Sequence, residues 1–404
     1  MTRPVLCILV DAFRHDYLTP DLAPELCGLA RRGSTATLKP ILGYSDSIRA
    51  TIFTGAYPDE HGYWMEYCYR PEAAPLASLK RLSALDALPS DFAQRATKFV
   101  LSQTVVRRAA SRQGYAHLSL RHFPFRSLGH FDWTLKVPLT ELGALGRPTL
   151  FDDLTAAALP WSYLDASTDG RGGVLEGVDE LPRDTRLAFV YLHHIDMASH
   201  VLGVESRLFR KVVRSTDALV AEVVQRARKR LGDADVVVFS DHGMSVVERF
   251  VEYSDLRRHP AFPDGFCFAL DATMVRLWFS GEDARLRDEI RERVRRGAPG
   301  RFLERSELVD LHLDFDSRLY GDEIYLLEPR VAIFPNFHSM LRPKAMHAYH
   351  PSDEDQHGIF IGPPDEQVPD PIELVEINPL CQRRLGLASG SRTPALALDG
   401  HARD

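Results

Sequence analysis

The 404-residue chain lacks a long apolar run. No stretch approaches the ~20 residues that a membrane-spanning helix needs, so no span is expected. The N-terminal run Val5–Val10 is short, and Asp11 and Arg14 follow at once. A secretory leader needs a longer apolar segment and a small-residue cleavage site. The expectation is therefore a cytoplasmic protein. The five cysteines (Cys7, Cys27, Cys68, Cys267, Cys381) are odd in number and far apart, with no CxxC pair. That excludes a thiolate metal site and reads as reduced thiols in a reducing compartment. A basic excess is missing too: Lys+Arg is 49 against Asp+Glu 56, a net charge of −7. A binder of nucleic-acid polymer normally carries the opposite balance. No repeat or low-complexity tract is found. With 45% hydrophobic and 26% charged residues, the chain has the composition of a globular protein.

What is present is a set of short apolar runs that each end at a ligand-type residue. Val5–Val10 ends at Asp11, and LAFVYL (Leu187–Leu192) runs into His193, His194 and Asp196. VVVF (Val236–Phe239) runs into Ser240, Asp241 and His242. Continuous β-branched and aromatic runs suit strands of a parallel sheet buried on both faces. In open α/β sheets, ligands sit beyond the carboxyl ends of such strands. Three acidic strand ends therefore converge on one rim. Between the second and third runs, Val204–Leu231 carries an apolar stripe at Leu208, Val212, Leu219, Val223 and Ala227. This predicts an amphipathic helix and hence a βαβ unit. Its basic end, QRARKR, reads as a solvated helix terminus, where cations are favoured.

Residues 70–147 and 251–340 interrupt this alternation. The first holds basic helical stretches (Arg95–Arg112) and an aromatic and histidine segment within Tyr115–Trp133. The second holds a charged helix (Glu282–Arg296) and a strand (Met274–Phe279). The expected organisation is a core of 1–69, 148–250 and 341–380, two inserted caps, and a polar tail over 381–404. The segment His117–Trp133 either forms a wall of the site or packs as a small core of its own.

Asp196 and His200 stand i, i+4 in DMASH, which puts both on one face of a helical turn. Alone, such a pair is more often a plain surface pair. Asp241-His242-Gly243 can serve one ion only where the backbone turns sharply; otherwise it caps a helix. Asp11 has the same two readings, and His347 could be an exposed loop residue. Together, Asp and His are ligands suited to Zn²⁺ or Mn²⁺. Two such groups can hold two ions for an in-line displacement at phosphorus. Within GYSDSIRATIFTGAYPDEHG, Ser45 opens a helical stretch (Ile48–Phe53) that Gly55 stops, and Arg49 lies at i+4. A hydroxyl at a helix N-terminus sits near free N–H groups, and arginine can fork onto phosphoryl oxygens. Ser47 and Thr51 are rival hydroxyls. Ser45 as a simple cap and Arg49 as a surface cation are the plain alternatives. His193 and His194 either contact substrate or pack at the strand end.

With these fragments in order, the sequence resembles the type I phosphodiesterase/nucleotide pyrophosphatase branch of the alkaline phosphatase superfamily. The fragments are LVDAFRHDYL, TGAYPDEHG, HHIDMASHVLG, FSDHGM and HAYHPSDEDQHGIFIGPP. The resemblance implies a mostly parallel α/β sheet with helices on both faces and a zinc-dependent hydrolase. One metal would be held by Asp196, His200 and His347. The other would be held by Asp11, Asp241, His242 and the oxygen of Ser45, the nucleophile ten residues before the glycine of TG. The branch usually has threonine there. Sulfatases of the superfamily have Cys-x-Pro-Ser-Arg, and Ser45-Asp-Ser-Ile-Arg49 keeps only the terminal arginine. The HGYD of the relatives is His347-Ala-Tyr-His350 here. Tyr44, Asp46 and His350 are candidates for groups supporting the ligands. The expected substrate is a small phosphodiester or pyrophosphate. A monoesterase or sulfatase on the same metals, and a non-catalytic binding protein on this fold, are the other readings.

Overall fold

The computed structural model describes residues 2–87, 91–115, 118, 120, 122–339 and 341–387. Parts of the 70–147 segment, including His117, and most of the tail lie outside them. The described residues divide into two units. One comprises Met1–Gly62, Leu145–Val246 and Pro343–Asp404; the other comprises Tyr63–Ala144 and Val247–Arg342.

The first unit is built on a seven-stranded sheet. Its strands are β1 (Val5–Val10), β2 (Ser34–Lys39), β3 (Trp161–Asp165), β4 (Leu187–Leu192), β5 (Asp235–Phe239), β6 (Gly358–Gly362) and β7 (Ile372–Glu373). They run in the order β7-β2-β6-β5-β1-β4-β3. β1 pairs in parallel with β4 and β5, and β3 in parallel with β4, while β6 runs antiparallel to both its neighbours. Every residue of β1 and β4 is buried, as strands covered on both faces must be. Each such aliphatic side chain withdrawn from water is worth roughly 1.5–3 kcal/mol.

Alternate residues of these strands feed two cores. Leu6, Ile8 and Val10 face one layer, where they meet Val174 and Val178 of the helix Ala166–Glu180. The same layer holds Val213, Val220 and Val223 of the long helix Arg207–Leu231. That helix covers most of the predicted Val204–Leu231 span; Ser206 caps its start by accepting from the Phe209 amide at 3.1 Å. The opposite face holds Cys7, whose Sγ lies 3.3 Å from Sγ of Cys381 on the helix Ile377–Leu385. Aromatic edges pack there as well: Phe53 meets Phe151 at 4.9 Å and Phe189 at 5.3 Å between ring centroids. Helices therefore lie on both faces of the mostly parallel sheet, as expected.

In the second unit, two chain segments condense around one core. A four-stranded sheet runs in the order Phe266–Leu270, Met274–Phe279, Glu323–Leu327, Gly300–Phe302. Its core joins Phe268, Val275 and Trp278 to Tyr67, Phe123, Phe131 and Trp133 of the earlier segment. The charged helix predicted over Glu282–Arg296 is Ala284–Gly297, and the strand Met274–Phe279 is as predicted. Phe123 to Trp133 of the aromatic segment thus packs into this core.

Candidate active site

The site lies at the carboxyl ends of the first unit's strands. Asp11 directly follows β1 and its amide bonds the Leu192 carbonyl at 3.0 Å, which fixes the strand end beside β4. Asp241 and His242 follow β5 by one residue. Asp196 and His200 sit one turn apart on the helix His194–Leu202 that leaves β4. His347 follows the short strand Ala345–Met346. Two of these residues precede an alanine held in the left-handed region: Ala12 at φ 58° and Ala348 at φ 64°. That conformation costs a non-glycine residue about 1 kcal/mol or more. At Ala12 it turns the amide onto Asp241 Oδ1, 3.1 Å away.

The ligand-type atoms meet in two overlapping groups. Asp196, His200 and His347 each offer an atom within 4.8 Å of the others; so do Asp11, Asp196 and His242. The Asp196 carboxylate therefore belongs to both clusters. His200 Nε2 lies 3.2 Å from Asp196 Oδ1, and His347 Nε2 lies 4.0 Å from the same oxygen. His242 Nε2 is 3.3 Å from Asp11 Oδ1 and 3.7 Å from Asp241 Oδ2. The His242 and His347 rings stack at 3.8 Å.

Orientation is set from outside the cluster. His200 Nδ1 bonds the Ala345 carbonyl at 2.8 Å and His242 Nδ1 bonds the Gly243 carbonyl at 2.7 Å. A carbonyl only accepts, so both Nδ1 atoms carry the proton and Nε2 is turned inward. Asp241 Oδ1 accepts from the amides of Ala12 and His242, which leaves Oδ2 without a partner. Oδ1 of Asp11 and Oδ1 of Asp196 are likewise buried and unpartnered. Three buried carboxylate oxygens without a hydrogen bond, each 3.2–3.7 Å from an imidazole Nε2, form a setting that suits a cation. The electrostatics agree. Burial raises the Asp241 carboxyl to about 7, and Asp11 beside it adds to the rise. Burial alone would lower His242, but Asp241 and Asp11 outweigh it and lift the imidazole to about 10. Asp196 resists its burial and is pulled down by His200 and His347, while His347 is pushed well below its ordinary value by burial and by His242. Imidazoles here offset the charge of the buried carboxylates, a role that a divalent cation can take over. The residues present therefore fit divalent-cation binding, in two ligand groups that share Asp196.

Ser45 is the first residue of the helix Ser45–Thr54, after an extended Tyr44. Its Oγ lies 3.2 Å from His242 Nε2. The rival hydroxyls are turned into the fold: Ser47 Oγ donates to the Tyr44 carbonyl at 2.9 Å, and Thr51 Oγ1 contacts the Ser47 carbonyl at 3.3 Å and His61 Nε2 at 3.0 Å. Gly55 ends the helix at φ 63°. Arg49 is not an open surface cation. Its guanidinium pairs with Asp46 and lies 4.5 Å above the Tyr191 ring. Burial opposes its charge, but Asp46 more than restores it. Tyr44 sets its ring edge on His347 at 5.4 Å, whereas His350 Nδ1 bonds Ser352 Oγ at 2.7 Å. The His193 and His194 rings stack at 4.9 Å, each with Nδ1 buried and unpartnered.

Sequence reasoning placed Ser240 and Tyr191 at strand ends but gave neither a role. Ser240 Oγ donates to the Phe13 carbonyl at 2.8 Å and accepts from the Ile359 amide at 2.9 Å, locking the turn before Asp241. The Tyr191 hydroxyl donates to Asp11 Oδ2. A phenol near the end of a buried strand was the available signal.

The family described as type I phosphodiesterase / nucleotide pyrophosphatase matches residues 5–301. A Schizosaccharomyces pombe protein described as an uncharacterized pyrophosphatase/phosphodiesterase is 24% identical over 249 residues, 60% of this chain and 44% of its own length. The match thus spans less than half of that relative. The solved structure of human ectonucleotide pyrophosphatase / phosphodiesterase 5 aligns with a TM-score of 0.67 at 15% identity, covering 97% of each chain. An inactive variant of the murine protein in complex with AMP aligns at 0.66 with the same identity and coverage. At that identity the likeness is one of fold. Among the described residues no helix is long and apolar enough to cross a membrane. With the match running through three of the strand ends that carry the cluster, this chain belongs to the type I phosphodiesterase / nucleotide pyrophosphatase family.

Proposed function

We propose that this protein is a phosphoric ester hydrolase that cleaves a small phosphodiester or pyrophosphate through a phosphoseryl intermediate at Ser45. The observation that carries the reading is Ser45 Oγ, 3.2 Å from His242 Nε2 at the edge of three buried carboxylate oxygens. One divalent ion, zinc by the donor set, is assigned to Asp196, His200 and His347, and a second to Asp11, Asp241, His242 and Ser45. When bound, these ions supply positive charge for the phosphoryl oxygens and lower the pKa of a coordinated hydroxyl.

The chain's own residues then divide the work. The helix start directs N–H groups at the phosphoryl group. Ser45 Oγ gives up its proton to solvent and attacks phosphorus in line, the P–O bond to the leaving group breaks and that group takes up a proton from water as needed, and a serine phosphoester forms. Water attacks the same phosphorus from the opposite side, the Ser45 P–O bond breaks, and phosphate monoester leaves. Most of the acceleration comes from positioning and charge neutralisation, as phosphoryl transfer requires. Arg49 is assigned a supporting part, since Asp46 already holds its guanidinium. The five free, buried cysteines support a cytoplasmic setting.

The test is metal content together with hydrolysis of a panel: a bis-nitrophenyl phosphodiester, a nitrophenyl monoester, a nitrophenyl sulfate, dinucleotides and nucleotide sugars. The AMP complex of the murine relative is the reason for the nucleotide arms. Preference for the diester or pyrophosphate arms supports the proposal; preference for the monoester or the sulfate replaces it, and no turnover with metal bound leaves a binding protein.

A further inference from the structure

Each ligand of the cluster must be held so that one atom faces inward. Asp241, His200 and His242 are held by backbone groups. Asp11 is different. Its inward oxygen, Oδ1, is 3.3 Å from His242 Nε2. Its other oxygen, Oδ2, is held by a side chain, the Tyr191 hydroxyl. An ionised carboxylate only accepts, so the phenol donates and Oδ2 is taken out of competition for a cation.

The register makes this contact reproducible. Leu9 pairs with Tyr191 and Val10 with Leu192 across β1 and β4, so the phenol starts one rung below the end of β1 and reaches up to Asp11. The ring is fixed on its face by the Arg49 guanidinium at 4.5 Å, and Arg49 is fixed by Asp46. Tyr191 is 5% exposed, so solvent does not offer Asp11 a substitute donor. Ser45 and Arg49 share one face of one helix, and that helix therefore reaches the cluster twice: through the serine hydroxyl and through the tyrosine ring.

On the reading of the cluster as a metal centre, we propose that Tyr191 is a positioning residue that fixes Asp11 as a one-oxygen ligand of the second cation, with Arg49 bracing its ring. Hydrogen-bond partners of this kind typically change metal affinity by about 10–100-fold. The hydroxyl acts through Asp11.

The experiment titrates zinc into the full-length chain against a chromophoric chelator, for the unsubstituted protein, Tyr191→Phe and Asp11→Asn. Phenylalanine fills the same volume, and near-ultraviolet circular dichroism verifies that the fold is kept. The expected result is one site weakened about 10–100-fold in Tyr191→Phe, the other site unchanged, and that one site lost in Asp11→Asn. Activity at limiting zinc falls in Tyr191→Phe and saturating zinc recovers it, with KM unchanged. Unaltered zinc affinity in Tyr191→Phe alongside a lost site in Asp11→Asn overturns the positioning role and leaves the metal centre standing. So does a kcat deficit that persists at saturating zinc. If Asp11→Asn binds zinc as the parent does, or the parent binds none, the metal centre itself falls.

Discussion

Replacing Ser45 by alanine separates the proposed nucleophile from its neighbours, because the three nearby hydroxyls have different surroundings. Ser45 Oγ faces His242 Nε2 at 3.2 Å and makes no other side-chain bond of comparable length. Its removal costs one hydrogen bond, worth about 0.5–1.5 kcal/mol net, and alanine is the better helix former, which offsets part of that. Stability should change by less than about 1 kcal/mol. The rate should fall far more. Losing the attacking atom removes at least ~3 kcal/mol of transition-state stabilisation, a factor of about 10² or more. Ser47→Ala gives the reverse pattern: its Oγ is tied to the Tyr44 carbonyl at 2.9 Å, so about 1 kcal/mol of stability is lost and turnover is retained. The assay is steady-state hydrolysis of a nitrophenyl phosphodiester by zinc-loaded protein, with urea unfolding in parallel and acid quenching to trap phosphoprotein. A Ser45→Ala rate within a few-fold of the parent, or trapped phosphate on Ser47 or Thr51, would refute the assignment.

Removing the metal with dipicolinate should abolish hydrolysis and lower the melting temperature, and added zinc should restore both. At a free ion concentration of 100 Kd the stabilisation is about 2.7 kcal/mol, so a melting temperature indifferent to zinc argues against the cluster as a metal centre. In the second unit, Asp271 is fully buried and accepts from Tyr67 at 2.6 Å, from His338 at 3.0 Å and from Arg276 Nε at 2.7 Å. Asp271→Asn leaves the Arg276 charge buried without its counter-ion and should cost about 3–5 kcal/mol, read from urea unfolding; a loss below 1 kcal/mol contradicts this. Burial opposes the Asp271 charge, but Arg276 and His338 hold its carboxyl well below the ordinary range. Its contribution is therefore complete above the unfolded carboxylate pKa and drains away as pH falls beneath it, so the parent should lose more stability than Asp271→Asn between pH 5 and 3. A Cβ at Gly358 would lie 2.0 Å from Ser240 Oγ, the hydroxyl that locks the turn into Asp241. Gly358→Ala should destabilise by about 1–3 kcal/mol and weaken zinc binding, checked by the same chelator titration.

Much of the site was legible in the chain because strand ends have a local signature. The runs ending at Asp11, before Asp196 and before Asp241 are β-branched and apolar through their length, and burial on both faces of a parallel sheet demands that composition. The i, i+4 spacing of Asp196 and His200 fixes a common helix face whatever the surroundings. Arg49 is the instructive case. Its position four residues after Ser45 suggested an anion clamp; its pairing with Asp46 is local, three residues back on the same helix, but its stacking on Tyr191 depends on where β4 passes. Tyr191 itself reads as one more apolar strand residue until the register beside β1 is known. The sequence singled out Ser45 only through the resemblance, with Ser47 and Thr51 as rivals within two helical turns; their local contacts turn those two inward, whereas the contact of Ser45 with His242 comes from a distant segment.

By itself the sequence determined periodicity, and with it the buried strands, the amphipathic helix between them and the kinds of ligand atom at their ends. The tertiary structure decided three things. Asp196 is common to both ligand groups, Tyr191 takes one oxygen of Asp11, and segments from 63–144 and 247–342 share one core. The physical reason is range. Periodicity is a property of neighbours along the chain, whereas the charge on a carboxylate, the partner of a phenol and the filling of a core are fixed by side chains brought in from more than a hundred residues away.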